Sequence, residues 1–354
     1  MTLTTLGVPA VRRDRVPPRA EMPRSGPLVD TFGRAATDLR VSLTDRCNLR
    51  CTYCMPADGL AWLPADAVLT FDELTRLLRL AVTRLGITNV RFTGGEPLLY
   101  RRLEDIVAAT AHLDPRPEIA LTTNGVGLAA RAQGLAAAGL DRVNVSLDTV
   151  DPRHFATITR RDRLDEVLDG LAAAAAAGLA PVKVNAVLDP VSGLDDATEL
   201  LQFCLDHGYQ LRIIEQMPLD ASHQWSRESA VSADDIIAAL RRRFELAPDP
   251  APRGSAPARL WRVSGGPATV GIIASVSDEF CSACDRTRLT ADGQVRSCLF
   301  ATEETDLRGL MRDGAGDDEI ESAWRAAMWL KAAGHGINSP DFVQPTRPMS
   351  AIGG

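Results

Sequence analysis

Lysine is almost absent from this sequence of 354 residues, because Lys183 and Lys331 are the only two lysines among 39 basic residues. No apolar run approaches the roughly 20 residues that a membrane-spanning helix needs. The N-terminal residues also lack the compact apolar segment of a secretion signal. These absences predict a cytoplasmic protein with no membrane segment. Arginine is its background cation, so a lysine is the better indicator of a specific role.

An excess of positive charge is absent as well. The net charge of −7 argues against a general nucleic-acid binder, whose binding face is basic. The apolar content of 45% and the charged content of 24% are those of an ordinary folded protein. Residues 1–35 contain five prolines among scattered arginines, and this composition predicts a flexible N-terminal arm.

Short β-branched segments alternate with helical patterns between residues 38 and 215. Six consecutive βα units predict a parallel sheet with helices on the outside. A barrel and a doubly wound sheet both fit that order of elements. The predicted strands are Leu39–Leu43, Thr88–Thr93, Ile119–Thr122, Arg142–Leu147, Val182–Val187 and Leu211–Glu215.

One polar face on each strand favours the barrel. Arg40 alternates with Leu39 and Val41, and Lys183 alternates with Val182 and Val184. A parallel strand that is buried on both faces would instead be almost continuously apolar. We therefore predict an α/β fold with an incomplete (βα)6 TIM-like barrel over residues 36–220 and a binding cavity in its lumen. Residues 221–354 are predicted to form a smaller α+β region that covers the open side.

Six of the seven cysteines form two groups. Cys47, Cys51 and Cys54 follow the first strand with the spacing C-x3-C-x2-C. Thiolates suit iron–sulfur clusters, and a [4Fe–4S] cluster takes four ligands, so three cysteines leave one iron open. The alternative is a zinc site with a distant fourth ligand, although structural zinc usually has paired C-x2-C motifs.

The second group consists of Cys281, Cys284 and Cys298. It also offers three thiols, and it predicts a second [4Fe–4S] cluster with one open iron. A zinc site completed by a histidine such as His335 is the alternative.

Three motifs together resemble one enzyme family. The first cysteine loop, with Tyr53 before its last cysteine, resembles the cluster loop of the radical S-adenosylmethionine (radical SAM) superfamily. The run Thr93-Gly-Gly-Glu-Pro97 matches the glycine-rich segment of that superfamily. The run Cys281-Ser-Ala-Cys-Asp-Arg-Thr-Arg288 and the final Gly353–Gly354 resemble the GTP 3′,8-cyclase family (molybdenum cofactor biosynthesis protein A). The resemblance extends from about Phe32 to Gly354.

The resemblance implies an enzyme with two [4Fe–4S] clusters that cleaves S-adenosylmethionine to a 5′-deoxyadenosyl radical. This radical would convert GTP to (8S)-3′,8-cyclo-7,8-dihydroguanosine 5′-triphosphate, the first step of molybdenum cofactor biosynthesis. A reducing electron donor such as flavodoxin, a cyclic pyranopterin monophosphate synthase that accepts the product, and a homodimer are compatible partners.

The resemblance also implies roles for individual residues. The cluster held by Cys47, Cys51 and Cys54 would cleave S-adenosylmethionine, and the terminal Gly353 and Gly354 would reach into the active site. The positions that match the S-adenosylmethionine contacts are Tyr53, Gly95, Ser146 and Met217. The positions that match the GTP contacts are Arg40, Arg91, Thr122, Lys183, Arg212, Arg286, Thr287 and Arg288.

Two alternatives remain open at this stage. Another radical SAM enzyme with an auxiliary cluster, such as a peptide-modifying one, usually has more than three cysteines in its C-terminal part. An electron carrier or a metal-stapled binding protein belongs to a different class. It would need neither two clusters with open irons nor a polar barrel lumen.

Overall fold

The structure is a computed structural model that describes residues 19–191, 193–221 and 225–353. A two-stranded hairpin and an open 12-stranded sheet contain its strands. The strands are β1 (Leu28–Val29), β2 (Ala35–Ala36), β3 (Asp38–Ser42), β4 (Asn89–Thr93), β5 (Glu118–Thr123), β6 (Arg142–Ser146), β7 (Lys183–Val187), β8 (Gln210–Ile214), β9 (Leu246–Pro248), β10 (Arg259–Val263), β11 (Thr269–Ile273), β12 (Arg286–Leu289), β13 (Gln294–Arg296) and β14 (Thr305–Asp306).

Helices follow most of the central strands. None of those in the described ranges is long and apolar enough to cross a membrane. The helices are α1 (Phe71–Arg84), α2 (Leu103–Ala111), α3 (Ala132–Ala137), α4 (Pro152–Thr159), α5 (Leu164–Ala176), α6 (Gly193–His207), α7 (Ala233–Leu240), α8 (Leu307–Arg312), α9 (Asp317–Trp329) and α10 (Met349–Ile352).

The central strands β3 to β8 are parallel neighbours in sequence order. They correspond to the six predicted strands, and the incomplete barrel is therefore confirmed. The sheet ends at β14 on one side and at β9 on the other, so it does not close within the described residues.

The C-terminal region extends the barrel at both edges. β11 pairs in parallel with β8, and β12 pairs in parallel with β3. Eight parallel strands therefore surround the lumen. β12 was not predicted, because it has only four residues and two of them are the charged Arg286 and Arg288. Its position places the residues that follow Cys284 beside the first strand of the barrel.

The outward face of the central strands packs against the helices. Phe92 on β4 and Val143 on β6 have no exposed surface, and neither has Leu77 of α1. α1 begins at a capping box in which the Thr70 hydroxyl accepts from the Glu73 amide and the Glu73 carboxylate accepts from the Thr70 amide. Burying one such side chain contributes about 1.5–3 kcal/mol, so this apolar layer holds the open sheet together.

The N-terminal hairpin corrects the predicted arm. β1 pairs antiparallel with β2 inside the segment predicted to be flexible. Leu28 is fully buried, and its amide donates to the Leu85 carbonyl at 2.9 Å. The Arg325 guanidinium of α9 donates to the Gly26 carbonyl at 2.7 Å. Residues 26–36 are therefore part of the folded body, and only the part of the predicted arm up to residue 18 lies outside the described residues.

Replacement of Leu28 by alanine tests whether the hairpin belongs to the core. Leu28→Ala should lower the free energy of unfolding by about 2–5 kcal/mol, since it removes a fully buried aliphatic side chain. Urea denaturation followed by circular dichroism measures this change. Phe32→Ala in the hairpin turn is the control, because Phe32 is 50% exposed and should matter much less. Equal stability of Leu28→Ala and wild type would contradict this description of the hairpin.

Candidate active site

The strand register brings charged residues of different strands together on the inner face. Arg288 on β12 lies opposite Arg40 on β3, and Arg40 lies opposite Arg91 on β4. The row continues across Ala120 on β5 to Arg142 on β6. Cross-strand neighbours share one face of a sheet. Four arginines therefore lie in one row on the polar strand face that the sequence predicted to line the lumen.

A second set of polar residues lies further along the same face, towards the ends of the strands. It includes four more positions that match the substrate and cofactor contacts. The cross-strand neighbours in this set are Thr122 with Asn144, Asn144 with Lys183, Ser146 with Asn185, and Asn185 with Arg212.

One cavity connects these strands with the second cysteine group. It contains three of the four positions that match S-adenosylmethionine contacts and six of the eight that match GTP contacts. These nine positions and the cysteines of the second group are Tyr53, Ser146, Met217, Arg40, Arg91, Thr122, Arg212, Arg286, Arg288, Cys281, Cys284 and Cys298.

The cations on this face have few carboxylate partners. Asp38 lies 4.0 Å from Nε of Arg40 and 3.9 Å from an Nη atom of Arg91, which are long distances for ion pairs. Arg212 and Lys183 have no carboxylate within ion-pair distance among the described residues. The buried Nε atoms of Arg40, Arg91 and Arg212 have no hydrogen-bond partner. Such an arrangement is costly unless an anion binds there.

Burial and mutual repulsion lower the pKa values of these cations. Burial lowers the pKa of Arg91 to about 9, and the neighbouring Arg40 contributes to the shift. Burial and then Arg142 lower the pKa of Arg212 to about 10. Burial, followed by Arg212 and Arg142, lowers the pKa of Lys183 to about 7. The lumen therefore favours a ligand with several negative charges.

Thr287 is one predicted contact whose side chain lies elsewhere. It is opposite Leu39 in the register, and its hydroxyl accepts a hydrogen bond from the indole N–H of Trp324 in α9 at 3.3 Å. The Thr287 side chain therefore belongs to the helix layer behind the sheet. The alternation along β12 explains this, since Arg286 and Arg288 occupy the lumen face.

Arg142 is a lumen cation that the sequence analysis missed. It forms an ion pair with Glu118, yet one of its Nη atoms is buried without a hydrogen-bond partner. It also contributes to the lowered pKa values of Lys183, Arg91 and Arg212. Arg142 stands at the start of a predicted strand and alternates with Val143 as Asn144 and Ser146 do with their neighbours. This alternation indicates that its side chain faces the lumen.

The first cysteine loop brings three thiols together. Burial raises the pKa of Cys51 well above its usual value, with further contributions from Asp148 and the other two thiols. Burial and then Cys47 raise the pKa of Cys54 to about 12. The Cys47 sulfur accepts from the Asn124 side-chain amide at 3.8 Å. Three neighbouring free thiols without a disulfide fit the donor set of an iron–sulfur cluster.

The second cysteine group has a different electrostatic environment. Burial alone would raise the pKa of Cys284, but Arg286 and Lys331 hold it below its usual value. Ligand atoms of Cys281, His335 and Glu279 lie within 4.8 Å of one another. The three thiols of this group fit a second cluster, and the nearby His335 keeps the predicted zinc alternative chemically open.

Comparison with known proteins identifies the family. The Radical SAM superfamily model matches residues 41–204, and the Molybdenum Cofactor Synthesis C model matches residues 209–337. A GTP 3′,8-cyclase of Mycobacterium sp. strain KMS is 74% identical over 354 residues, with 100% of both chains covered. The chain belongs to the GTP 3′,8-cyclase family. S-adenosylmethionine and an iron–sulfur cluster are the cofactors associated with its radical SAM domain.

Other members of the GTP 3′,8-cyclase family are similarly close. The GTP 3′,8-cyclase of Mycolicibacterium smegmatis is 72% identical over 361 residues. The GTP 3′,8-cyclase 2 of Mycobacterium tuberculosis H37Rv is 70% identical over 361 residues. Both matches cover 100% of each chain, so the similarity includes the cavity and the C-terminal tail.

Solved structures share the fold at low identity. SuiB from Streptococcus suis has a TM-score of 0.55 at 15% identity over 86% of this chain and 68% of its own. SuiB bound to S-adenosylmethionine has a TM-score of 0.53 at 15% identity over 81% of this chain and 68% of its own. These likenesses confirm the radical SAM fold and extend no further.

Gly95 allows a close approach between two backbone segments, a packing role that the sequence did not predict. A Cβ atom there would collide with the backbone oxygens of Asp45 and Arg46. The Gly95 amide donates to the Thr44 carbonyl at 2.7 Å, and the Glu96 amide donates to the Arg46 carbonyl at 2.7 Å. The glycine-rich segment of this GTP 3′,8-cyclase family member therefore packs directly against its first cysteine loop.

Asp148 is a second residue that the sequence analysis missed. Its carboxylate accepts from the Tyr53 hydroxyl at 2.8 Å and from the Val187 amide at 2.8 Å. Burial raises the pKa of Asp148 to about 6, although these two donors oppose the shift. The residue lines the cavity two positions after Ser146, so it links two of the predicted S-adenosylmethionine contacts.

The C-terminal tail enters the lumen through α10. The Ser42 hydroxyl donates to the Ile352 carbonyl at 2.7 Å, and Arg288 donates to the Gly353 carbonyl at 2.5 Å. Gly353 has φ +82°, and a Cβ atom there would collide with the Ser42 hydroxyl. Gly353 therefore lies beside Ser42 and Arg288 on the lumen side of the sheet, whereas Gly354 lies outside the described residues.

The lowered pKa of Lys183 predicts that GTP binding is accompanied by proton uptake. GTP should restore the charge of an ammonium whose pKa is about 7 in the free protein. Above pH 7, binding should therefore take up as much as one proton, and GTP affinity should fall by up to tenfold per pH unit. Calorimetry at pH 8 in buffers of different ionisation enthalpy measures this uptake.

Lys183→Arg is the matched control for this measurement. Arginine stays protonated, so the additional proton uptake should disappear. Its planar fork should also weaken GTP binding, because it does not fit the position of a compact ammonium. Equal proton uptake by wild type and Lys183→Arg would contradict the assignment of this proton to Lys183.

Proposed function

We propose that this protein is a radical SAM cyclase that converts GTP to (8S)-3′,8-cyclo-7,8-dihydroguanosine 5′-triphosphate with two [4Fe–4S] clusters. The single observation that carries the proposal is the continuous cavity. Its lining includes Tyr53, Ser146 and Met217, the three cysteines of the second group, and Arg40, Arg91 and Arg212, whose buried Nε atoms have no hydrogen-bond partner. The family membership supports the same activity.

The first cysteine loop is the proposed site of S-adenosylmethionine cleavage. Cys47, Cys51 and Cys54 would hold a cluster that supplies the electron for this cleavage and thus for the 5′-deoxyadenosyl radical. Tyr53 is oriented by its hydrogen bond to Asp148, at the end of the strand that carries Ser146. These residues would orient S-adenosylmethionine towards the lumen, because they line the same cavity as the arginines.

The arginines of the lumen are the proposed triphosphate site. Guanidinium groups bind phosphate oxygens through paired charge-assisted hydrogen bonds. The buried and unpaired Nε atoms of Arg40, Arg91 and Arg212 are available for this role. The pKa of Lys183, lowered to about 7 by burial and neighbouring cations, supports the same placement of negative charge. A peptide substrate would compensate these cations only if it were strongly acidic.

The second cysteine group is the proposed site for the purine end of GTP. Cys281, Cys284 and Cys298 would hold the second cluster, whose open iron would bind the guanine. Arg286 and Arg288 follow Cys284 directly on β12, and both line the cavity. This order along the strand supports a nucleotide held between the two cysteine groups. A zinc ion bound with His335 is the competing occupant of this site.

The proposal also includes the partners of the protein and its cellular compartment. A flavodoxin-like reductant would supply electrons, and cyclic pyranopterin monophosphate synthase would take the product as the next enzyme of molybdenum cofactor biosynthesis. Homodimerisation is compatible with this scheme, and the proposed compartment is the cytoplasm. The grouping of six cysteines without a disulfide supports metal sites in a reducing environment.

The activity can be tested with GTP that carries deuterium at the ribose 3′ carbon. The protein is reconstituted anaerobically and incubated with this substrate, S-adenosylmethionine and a chemical reductant. We expect deuterium in 5′-deoxyadenosine and a cyclised nucleoside triphosphate, both measured by mass spectrometry. 5′-Deoxyadenosine without deuterium, or a guanine ring that remains uncyclised, would contradict the proposed reaction.

The iron content tests the two clusters. Wild-type protein should hold about eight irons per chain after reconstitution, since each cluster has four. Replacing Cys47, Cys51 and Cys54 together with alanine should leave about half of this iron and abolish cleavage of S-adenosylmethionine. Cys204→Ala is the control, because Cys204 is buried in α6 and should not be a ligand. Cleavage that persists in the triple variant would refute the first assignment.

Removal of the terminal glycines tests the tail. A chain that lacks Gly353 and Gly354 should keep its iron and bind S-adenosylmethionine, but cyclise GTP far more slowly. The reason is that Arg288 would lose the Gly353 carbonyl that now holds it at 2.5 Å. A short Gly-Gly-terminated peptide at high concentration should restore part of the activity. Wild-type turnover by the truncated chain would contradict a role for the tail.

A further inference from the structure

Lys331 lies directly behind the second cysteine group. It follows α9, and only 3% of its surface is exposed. Its ammonium donates to the Cys284 sulfur at 3.3 Å, to the Cys284 carbonyl at 3.1 Å and to the Arg286 carbonyl at 2.8 Å. These three acceptors belong to one short turn, so all three N–H groups of the ammonium are used within it.

The charge of Lys331 has a single candidate counterion nearby. Among the residues that the structure describes, no carboxylate lies within ion-pair distance of this ammonium. A buried cation without an anionic partner is strongly unfavourable. The Cys284 sulfur is the one contacting atom that becomes negative, because a cysteine binds iron as its thiolate.

The residue type agrees with this role. Arginine is the usual cation of this chain, and only two of 39 basic residues are lysines. A compact ammonium with three rotatable donors matches three acceptors around one point, whereas a planar guanidinium fork does not. Neither the proposed GTP site nor the proposed S-adenosylmethionine site uses Lys331.

We propose that Lys331 is a positioning residue for the second cluster that donates a hydrogen bond to the Cys284 sulfur and raises the reduction potential of that cluster. Hydrogen bonds to cluster sulfurs withdraw electron density from the metal centre, and they are one of the determinants of its potential. The same ammonium ties Cys284 to Arg286, so it also fixes the start of β12 relative to the cluster. This inference rests on the proposed second cluster.

The test isolates the second cluster. In the background where Cys47, Cys51 and Cys54 are alanine, the iron content is measured first. The reduction potential is then followed by electron paramagnetic resonance in an anaerobic redox titration. Lys331→Met should retain about four irons and shift the potential to a more negative value. Lys331→Arg keeps the charge, but its guanidinium places the donor less well. Its reduction potential should therefore lie between that of the parent with Lys331 and that of Lys331→Met.

Arg34→Gln is the matched control. The Arg34 guanidinium contacts the same cysteine turn, but it donates to the Cys281 carbonyl at 2.7 Å and not to a sulfur. Its replacement should lower the melting temperature and leave the potential unchanged. A shift in Arg34→Gln as large as that in Lys331→Met would overturn the proposal, because any loosening of the turn would then have the same effect.

The remaining outcomes are also decisive. An unchanged potential in Lys331→Met with about four irons would overturn the role of the hydrogen bond. If Lys331→Met does not retain iron, Lys331→Leu is measured instead, since it also removes both the hydrogen-bond donor and the charge. Its potential should also be more negative than that of the parent, and an unchanged value would overturn the proposal. Absence of iron in the parent triple variant would instead contradict the second cluster itself.

Discussion

The concentration of positive charge on one face of a parallel sheet is the constraint on which this site depends. Seven cations share that face, and three carboxylates, those of Asp38, Glu118 and Asp285, lie within ion-pair distance of them among the described residues. These internal ion pairs offset the repulsion only in part, so a polyanionic ligand is the natural partner. An open sheet leaves room for such a ligand between its edges. The seven cations are Arg40, Arg91, Arg142, Lys183, Arg212, Arg286 and Arg288.

The C-terminal region is part of this site and not a separate cover. β11 and β12 extend the two edges of the barrel, and α10 returns the tail to its lumen. Cys281 and Cys284 of the second cysteine group precede β12 and Cys298 follows β13, so the sheet itself fixes this group relative to the first cysteine loop. The two family-model matches meet between residues 204 and 209, just before β8, and the sheet continues across that boundary.

The six central strands could be predicted because each contains β-branched residues and has one polar face. Alternation also placed Arg40, Arg91, Lys183 and Arg212 on the lumen side. β12 could not be predicted, since four residues with two arginines carry no strand pattern of their own, and its register alone turns Thr287 away from the cavity. The N-terminal hairpin could not be predicted either, because its stability comes from contacts with helices that are distant in sequence. The hydrogen bonds of Asp148 and Lys331 likewise join residues that are far apart in sequence.

The central claim is that the unpaired lumen cations recognise the triphosphate. The most direct measurement is a calorimetric comparison of GTP, GDP, GMP and guanosine with the cluster-loaded protein at several salt concentrations. We expect affinity to fall stepwise as phosphates are removed, and the dependence of affinity on salt to weaken in the same order. The reason is that a ligand with fewer phosphates makes fewer charged contacts with the lumen cations. Guanosine that binds as tightly as GTP, with the same response to salt, would contradict this account.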